Sequence, residues 1–118
     1  DQYLGIQVHS YNPWAFCGQT GNNSAFPGTA FYENAIKKVA AHANLLNVPT
    51  NYGEFGVGRS SNIAERNTDL VRGYYKTYDN VTLSQGMSYS VWDDRGWFGL
   101  INSTGTSFTY NIVPYMLQ

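Results

Sequence analysis

Hydrophobic residues recur along the chain with two different periods. Leu4, Ile6 and Val8 alternate with small or polar residues, a period of two that is typical of a strand. The segment from residue 29 to residue 47 instead places its apolar residues on one side of a helix. Applied to the whole chain, the two periods predict strands near 3–9, 50–56 and 85–92, and helices near 29–47, 62–78 and 112–117.

Capping and turn residues refine these boundaries. Thr29 is placed to cap the first long helix, and Val48-Pro49 ends it because proline cannot continue a helix. Asn62 with Glu65 three positions later matches a capping box, which predicts that the second helix begins at residue 62. A Gly-containing turn between residues 98–101 and 107–110 predicts a hairpin-like excursion.

The resulting order is β-α-β-α-β-(hairpin)-α. Strands separated by helices pair in parallel through right-handed crossovers. Three parallel strands make a poor sheet alone, and a (β/α)8 barrel takes about 250 residues. The sequence therefore predicts an α/β fold of the (β/α)8 TIM-barrel type. Residues 1–118 would form one C-terminal portion of it, with about the last three β/α units, or an assembly that another chain completes.

Composition excludes some functions and favours one class of ligand. Charged residues make up 13% of the chain and the net charge is -1, so the sequence lacks the basic patch of a nucleic-acid-binding protein and of a membrane-surface protein. Aromatic residues reach 16%. They either fill the core or stack on an uncharged polar ligand with C–H faces, such as a sugar.

Polar and aromatic side chains fall at the carboxyl ends of all three predicted strands. His9 and Tyr11 follow the first strand, Glu54 lies near the end of the second, and Trp92 ends the third. In a (β/α)8 barrel this end carries the active site. We therefore take these four residues as candidate site residues.

Each candidate has a chemical role and a structural alternative. Glu54 is suited to attack an anomeric carbon as a carboxylate nucleophile, or is a buried carboxylate satisfied by backbone or by an arginine. Tyr11 is suited to donate a hydrogen bond to Glu54. His9 would bind a substrate hydroxyl or a neighbouring carboxylate, or be structural. Trp92 would face a sugar ring or pack at the barrel mouth. Asp93 and Asp94, which follow Trp92, are expected to cap the turn at the end of the third strand.

Other chemistries find little support in the sequence. His9 and His42 lie far apart, so metal-ligand spacing is absent, and no phosphate-binding glycine pattern occurs. Cys17 cannot form an intrachain disulfide, and nothing in the sequence places it beside His9. The sequence thus predicts no metal and no cofactor. Three N-x-S/T sequons, at Asn22, Asn80 and Asn102, favour secretion.

Three motifs together resemble glycoside hydrolase family 5, especially its cellulases. They are Val-His-Ser-Tyr-Asn-Pro at 8–13, Tyr-Gly-Glu-Phe-Gly at 52–56 and Tyr-Ser-Val-Trp-Asp-Asp at 89–94. The resemblance implies that Glu54 is the nucleophile on the seventh barrel strand, that His9 and Tyr11 end the sixth, and that Trp92 ends the eighth beside the cleaved bond. It also implies a cis peptide bond after Trp92.

The family's acid/base glutamate lies in an Asn-Glu-Pro motif that these residues lack. The resemblance therefore implies a retaining endo-β-1,4-glucanase whose acid/base residue lies outside this chain, with a β-glucan as substrate. The missing N-terminal part of the barrel, or another copy of the chain, would be its partner. The alternatives are a related mannanase, xylanase or xyloglucanase, a non-catalytic sugar-binding partial barrel, and a truncated product without a function.

Overall fold

A computed structural model describes residues 3–118. The regular elements, in chain order, are β1 (Ile6–Ser10), α1 (Trp14–Cys17), α2 (Thr29–Leu46), β2 (Thr50–Phe55), α3 (Asp69–Ser84), β3 (Ser88–Tyr89) and α4 (Ile112–Met116), with short 3-10 turns at Asn23–Ala25, Ile63–Arg66 and Thr109–Asn111. The three strands form one parallel sheet in the order β1-β2-β3. The carboxyl ends of all three strands therefore lie at one edge.

The third strand is shorter than the predicted range 85–92. Helix α3 runs on to Ser84, and Gly86 then turns the chain with φ 72°, so only Ser88–Tyr89 pair in register with β2. The chain nevertheless stays beside β2, because the Trp92 amide donates to the Phe55 carbonyl at 3.1 Å.

The start of α3 also differs from the prediction. The helix begins at Asp69 rather than residue 62, and its N-cap is Thr68, whose side chain accepts from the Val71 amide. Asn62 instead has a left-handed backbone and no side-chain cap bond. The predicted capping box fails because the Glu65 carboxylate accepts a hydrogen bond from Arg59 and so is drawn away from the helix terminus.

Helix α3 also continues past its predicted end at residue 78 and stops at Ser84, whereas the ends of α2 and α4 lie close to the predicted ones. Helix α2 covers Thr29–Leu46, with Gly28 rather than Thr29 at its N-cap, and Asn47 ends it in the left-handed conformation. Helix α4 ends at Met116, one residue before the predicted end. An isolated antiparallel bridge joins Ile101 to Phe108, so a hairpin-like excursion is present between β3 and α4.

Helices α2 and α3 cover one face of the sheet through an aromatic core. The Phe55 ring stacks on the Tyr78 ring with centroids 4.1 Å apart and planes 8° apart. Buried members of the cluster include Phe16, Tyr32, Ile36, Tyr52, Phe55, Val71, Tyr74, Tyr75 and Tyr78. The hydroxyls of Tyr32, Tyr74 and Tyr75 have hydrogen-bond partners inside this core. The Val57 amide, for example, donates to Tyr75 Oη at 3.0 Å.

The β1 edge of the sheet borders an apolar groove of about 260 Å³, lined by Ile6, Val8, Lys38, Val39, His42 and Thr50. Within residues 3–118, Thr50 Oγ1 is buried there without a hydrogen-bond partner. Across the same described range, none of the helices combines the length and the apolar character needed to span a membrane.

Candidate active site

The structure brings Glu54, Tyr11 and His9 together at the carboxyl edge of the sheet. The Tyr11 hydroxyl donates to Glu54 Oε2 at 2.9 Å, and His9 Nδ1 lies 3.6 Å from Glu54 Oε1. The Glu54 side chain is 29% exposed and that of His9 47%. Glu54 thus accepts a hydrogen bond on one oxygen and has the His9 ring beside the other, and it remains open to solvent, as a reacting carboxylate must be.

Strand register explains why these residues meet. His9 pairs with Glu54 across the parallel ladder, after an irregularity that follows Val8. Paired residues on adjacent parallel strands point to the same side, so both side chains face away from the aromatic core. The arginine alternative for Glu54 is wrong, because the buried Arg59 pairs with Glu65 instead.

The Tyr11 ring is fixed by two aromatic neighbours. It makes edge-on contacts with Trp14, at a centroid distance of 6.4 Å, and with Phe98, at 5.6 Å. Burial raises the pKa of Tyr11, and its hydrogen bond to Glu54 raises that pKa further. The phenol therefore keeps its proton well into the alkaline range and acts as a hydrogen-bond donor to the carboxylate.

Trp92 lies beside the same edge. Its backbone amide is bonded to Phe55, the residue after Glu54, and its side chain is exposed. The expected cis peptide after Trp92 is wrong: the cis bond found within residues 3–118 is Asn12-Pro13. A trans bond is the ordinary form for two non-proline residues, since the cis form costs about 3 kcal/mol.

Asp93 and Asp94 shape the turn after the third strand. Asp94 Oδ1 accepts from the Gly96 and Phe98 amides at 2.8 and 2.9 Å, and Asp93 Oδ1 accepts from the Arg95 amide at 2.7 Å. The expectation that these aspartates cap the turn is confirmed. Both carboxylates are thus engaged with backbone amides.

Three other described carboxylates pair with a basic side chain: Glu65 with Arg59, Asp69 with Arg72 and Asp79 with Lys76. Within the described part of the chain, no three His, Cys, Asp or Glu side chains converge as a metal site would require. Glu54 is therefore the carboxylate in residues 3–118 that is best placed for chemistry.

Sequence reasoning missed two parts of this site. Arg59 is buried and donates to the carbonyls of Phe16 and Gly58, at 2.6 and 2.7 Å, so it ties together the loops after β1 and β2. Gln7 lies on the open face of the sheet, the face opposite to α2 and α3. There it belongs to a file of hydrogen-bonded polar side chains that includes Asn51 and His9. The signal for Gln7 was in the sequence, as the polar half of the β1 alternation. Nothing in the sequence distinguished Arg59 from a surface arginine.

Solved structures of glycosidases share this fold. A family 5 xyloglucanase from Paenibacillus pabuli matches with a TM-score of 0.80 and 21% identity, over 100% of this chain and 38% of its own. A hyperthermophilic endo-β-1,4-glucanase in complex with substrate matches with a TM-score of 0.79 and 20% identity, over 99% and 40%. A broad-specificity GH5-4 endoglucanase from Clostridum cellulovorans gives 0.78 and 20%, over 99% and 36%.

The chain spans about two fifths of the length of these structures. No protein-family model and no curated protein sequence matches it. At such identities the likeness establishes the fold. The chain is an α/β unit with a parallel sheet that matches part of the barrel found in family 5 glycosidases.

Proposed function

We propose that this chain is the C-terminal part of a retaining endo-β-1,4-glucanase and that Glu54 is its nucleophile. The observation that carries the proposal is the Glu54 carboxylate at the carboxyl edge of parallel strands, bonded by Tyr11 and flanked by His9. Chemistry in a (β/α)8 barrel is located at this edge. The structural likeness to endoglucanases supports the same conclusion.

In the proposed reaction, a Glu54 carboxylate oxygen attacks the anomeric carbon of a β-1,4-glucan and forms a glycosyl ester as the glycosidic bond breaks. Tyr11 holds the other oxygen through its hydrogen bond, which orients the attack. His9 is exposed enough to contact a sugar hydroxyl as well as Glu54. Trp92, which is 40% exposed, offers an aromatic face to the sugar ring beside the cleaved bond.

The acid/base group is proposed to lie outside these residues. It would protonate the leaving oxygen and then activate the water that hydrolyses the ester. In a retaining enzyme its carboxyl stands about 5 to 5.5 Å from the nucleophile. The engagement of Glu65, Asp93 and Asp94 with other partners supports its absence from the described part of the chain.

We further propose that the remaining β/α units of an eight-stranded barrel cover the open edges of the sheet. This chain together with those units is called the complete barrel. The greater length of the matched structures and the apolar groove beside β1 support this partner. The alternative is a second copy of the chain. Secretion remains a proposal that is supported by the three sequons.

The substrate has a specific alternative within the same chemistry. The xyloglucanase from Paenibacillus pabuli shares the fold as well as the endoglucanases do. A xyloglucan is therefore the second candidate substrate, ahead of the mannan and the xylan that the family resemblance also allows. A non-catalytic sugar-binding partial barrel is the alternative of another class.

The test compares the wild-type complete barrel with its Glu54→Gln variant on carboxymethylcellulose, xyloglucan and mannan, with reducing ends as the readout. The Gln side chain keeps the size of Glu but is a poor nucleophile, so turnover should fall by at least about 10³-fold. Near-normal turnover in a folded variant would refute Glu54 as nucleophile. Denaturing mass analysis of the purified protein shows whether an N-terminal portion or only the 13.2 kDa chain is present.

A further inference from the structure

A file of polar side chains crosses the open face of the sheet and ends at Glu54. Asn51 Nδ2 donates to Ser88 Oγ at 2.8 Å, and Gln7 Nε2 donates to Asn51 Oδ1 at 3.3 Å. Gln7 Oε1 then lies 3.2 Å from His9 Nε2. The file spans all three strands and reaches the candidate nucleophile through the His9 ring.

The orientation of the Asn51 and Gln7 amides, with Gln7 Oε1 toward His9, assigns the proton of the neutral His9 ring. An amide oxygen only accepts, so the hydrogen in the contact with Gln7 Oε1 must belong to His9 Nε2. A neutral imidazole has one N–H, and the other nitrogen is then an acceptor. In the neutral ring, His9 Nδ1 therefore presents a lone pair to Glu54.

The distance between His9 and Glu54 agrees with this direction. Nδ1 and Oε1 are 3.6 Å apart, which is longer than a hydrogen bond. A lone pair facing a carboxylate gains nothing from a closer approach. The contact becomes attractive when His9 carries a proton on both nitrogens and is positively charged.

Gly53 gives Gln7 the space to take this position. A Cβ atom at residue 53 would lie 2.4 Å from Gln7 Cδ and from Gln7 Nε2. The Gln7 amide therefore lies directly over the Gly53 backbone, where any larger residue would displace it. The location of Gln7 is thus set by two independent features, the hydrogen-bond file and the glycine beneath it.

We propose that Gln7 is a positioning residue that fixes the tautomer of His9. Held by Asn51, the Gln7 amide keeps the neutral His9 proton on Nε2, so His9 binds Glu54 only as an imidazolium. Tyr11 is then the neutral hydrogen-bond donor to Glu54, whereas His9 attracts the Glu54 carboxylate only when the His9 ring is positively charged. The significance of this role for catalysis rests on the proposed function, whereas the tautomer itself does not.

The test is NMR of the 118-residue chain labelled with ¹⁵N-histidine, at about pH 9, where histidine is ordinarily neutral. The chain has two histidines, so a His42→Gln variant assigns the signals of His9. We expect the Nε2–H tautomer in the wild type. In Gln7→Met the acceptor is lost, and the population should shift roughly 2- to 12-fold toward the Nδ1–H tautomer, which donates to Glu54.

Two glycine variants provide an independent check. Gly53→Ala should displace the Gln7 amide and shift the tautomer in the same direction as Gln7→Met. Gly73→Ala is the matched control, because a Cβ atom there meets nothing within 4 Å. An Nδ1–H wild type would overturn the proposal, as would an unchanged tautomer in Gln7→Met or Gly53→Ala with a native amide spectrum. Absence of hydrolysis by the complete barrel would refute the proposed function and leave this result standing.

Discussion

The two faces of the sheet differ in composition, although the same three strands form both. The covered face packs aromatic side chains against α2 and α3, and Phe55 and Tyr78 are almost fully buried there. The open face carries the polar file and Glu54. Adjacent residues of β2 thus lie on opposite faces of the sheet: Phe55 belongs to the core and Glu54 belongs to the candidate site. Successive side chains of a strand point to opposite faces, so a residue that stabilises the fold can directly follow a residue placed for chemistry.

The largest effect is expected from Phe55→Ala. Its ring stacks on Tyr78 in the centre of the covered face, so its loss should lower the free energy of unfolding by about 3 to 5 kcal/mol. Glu54→Gln, one residue earlier and on the open face, should change it by less than about 1 kcal/mol. Urea denaturation of both variants checks the contrast. Comparable losses would mean that the open face also supports the fold.

The next largest effect is expected from alkaline pH, which should lower the free energy of unfolding through the tyrosines of the covered face. Burial raises the pKa of Tyr52 to about 12, and burial together with a hydrogen bond to Asp79 raises that of Tyr89 to about 12. The folded chain thus holds these phenol protons more tightly than the unfolded chain, whose tyrosines titrate near pH 10. Stability is therefore fully present below about pH 10 and is lost as pH rises toward 12. The slope of stability against pH checks this, and Tyr52→Phe should make it shallower.

The failed capping box shows what local sequence could not supply. Asn62 and Glu65 have the right spacing, but Glu65 is taken by Arg59, whose guanidinium is buried among loop carbonyls. A buried charge requires such a partner, and the energy of leaving it unpaired exceeds that of a helix cap. The contact between Arg59 and Glu65 depends on how the loops pack against each other, so the local sequence does not reveal it.

A glycine pair sharpens the comparison further. Gly53→Ala inserts a Cβ atom into the space of the Gln7 side chain, which has to move aside and give up its hydrogen bonds, so the substitution should cost about 1 kcal/mol, the low end for overpacking. Gly73→Ala, in helix α3 with open space around it, should instead stabilise the protein by about 0.4 to 1 kcal/mol. Thermal unfolding of the two variants measures both signs. A stabilising Gly53→Ala would contradict the close contact with Gln7.

The smallest change in stability is expected from Gln7→Ala. Gln7 is exposed on the open face, and its side-chain bonds compete with water, so the free energy of unfolding should change by no more than about 0.5 kcal/mol. Denaturant midpoints of this variant and the wild type provide the measurement. A loss of several kcal/mol would show that the polar file holds the strands together rather than positioning His9.

The site was more predictable than the contacts around it. Glu54, His9 and Tyr11 could be grouped from sequence because the carboxyl ends of parallel strands lie at one edge. The contacts of Gln7 with Asn51 could not, since they depend on the register between β1 and β2 and on the irregularity after Val8. Local patterns determine which residues lie near an edge, and tertiary packing determines which of their atoms touch.

The most direct test of the central claim is covalent trapping of the nucleophile. The complete barrel is incubated with an activated 2-deoxy-2-fluoro cellobioside, which leaves its sugar on the attacking carboxylate, and the digested protein is analysed by mass spectrometry. The account predicts one adduct, on the peptide that contains Glu54, and none in Glu54→Gln. An adduct on a different carboxylate, or hydrolysis by a barrel that forms no adduct at Glu54, would contradict it.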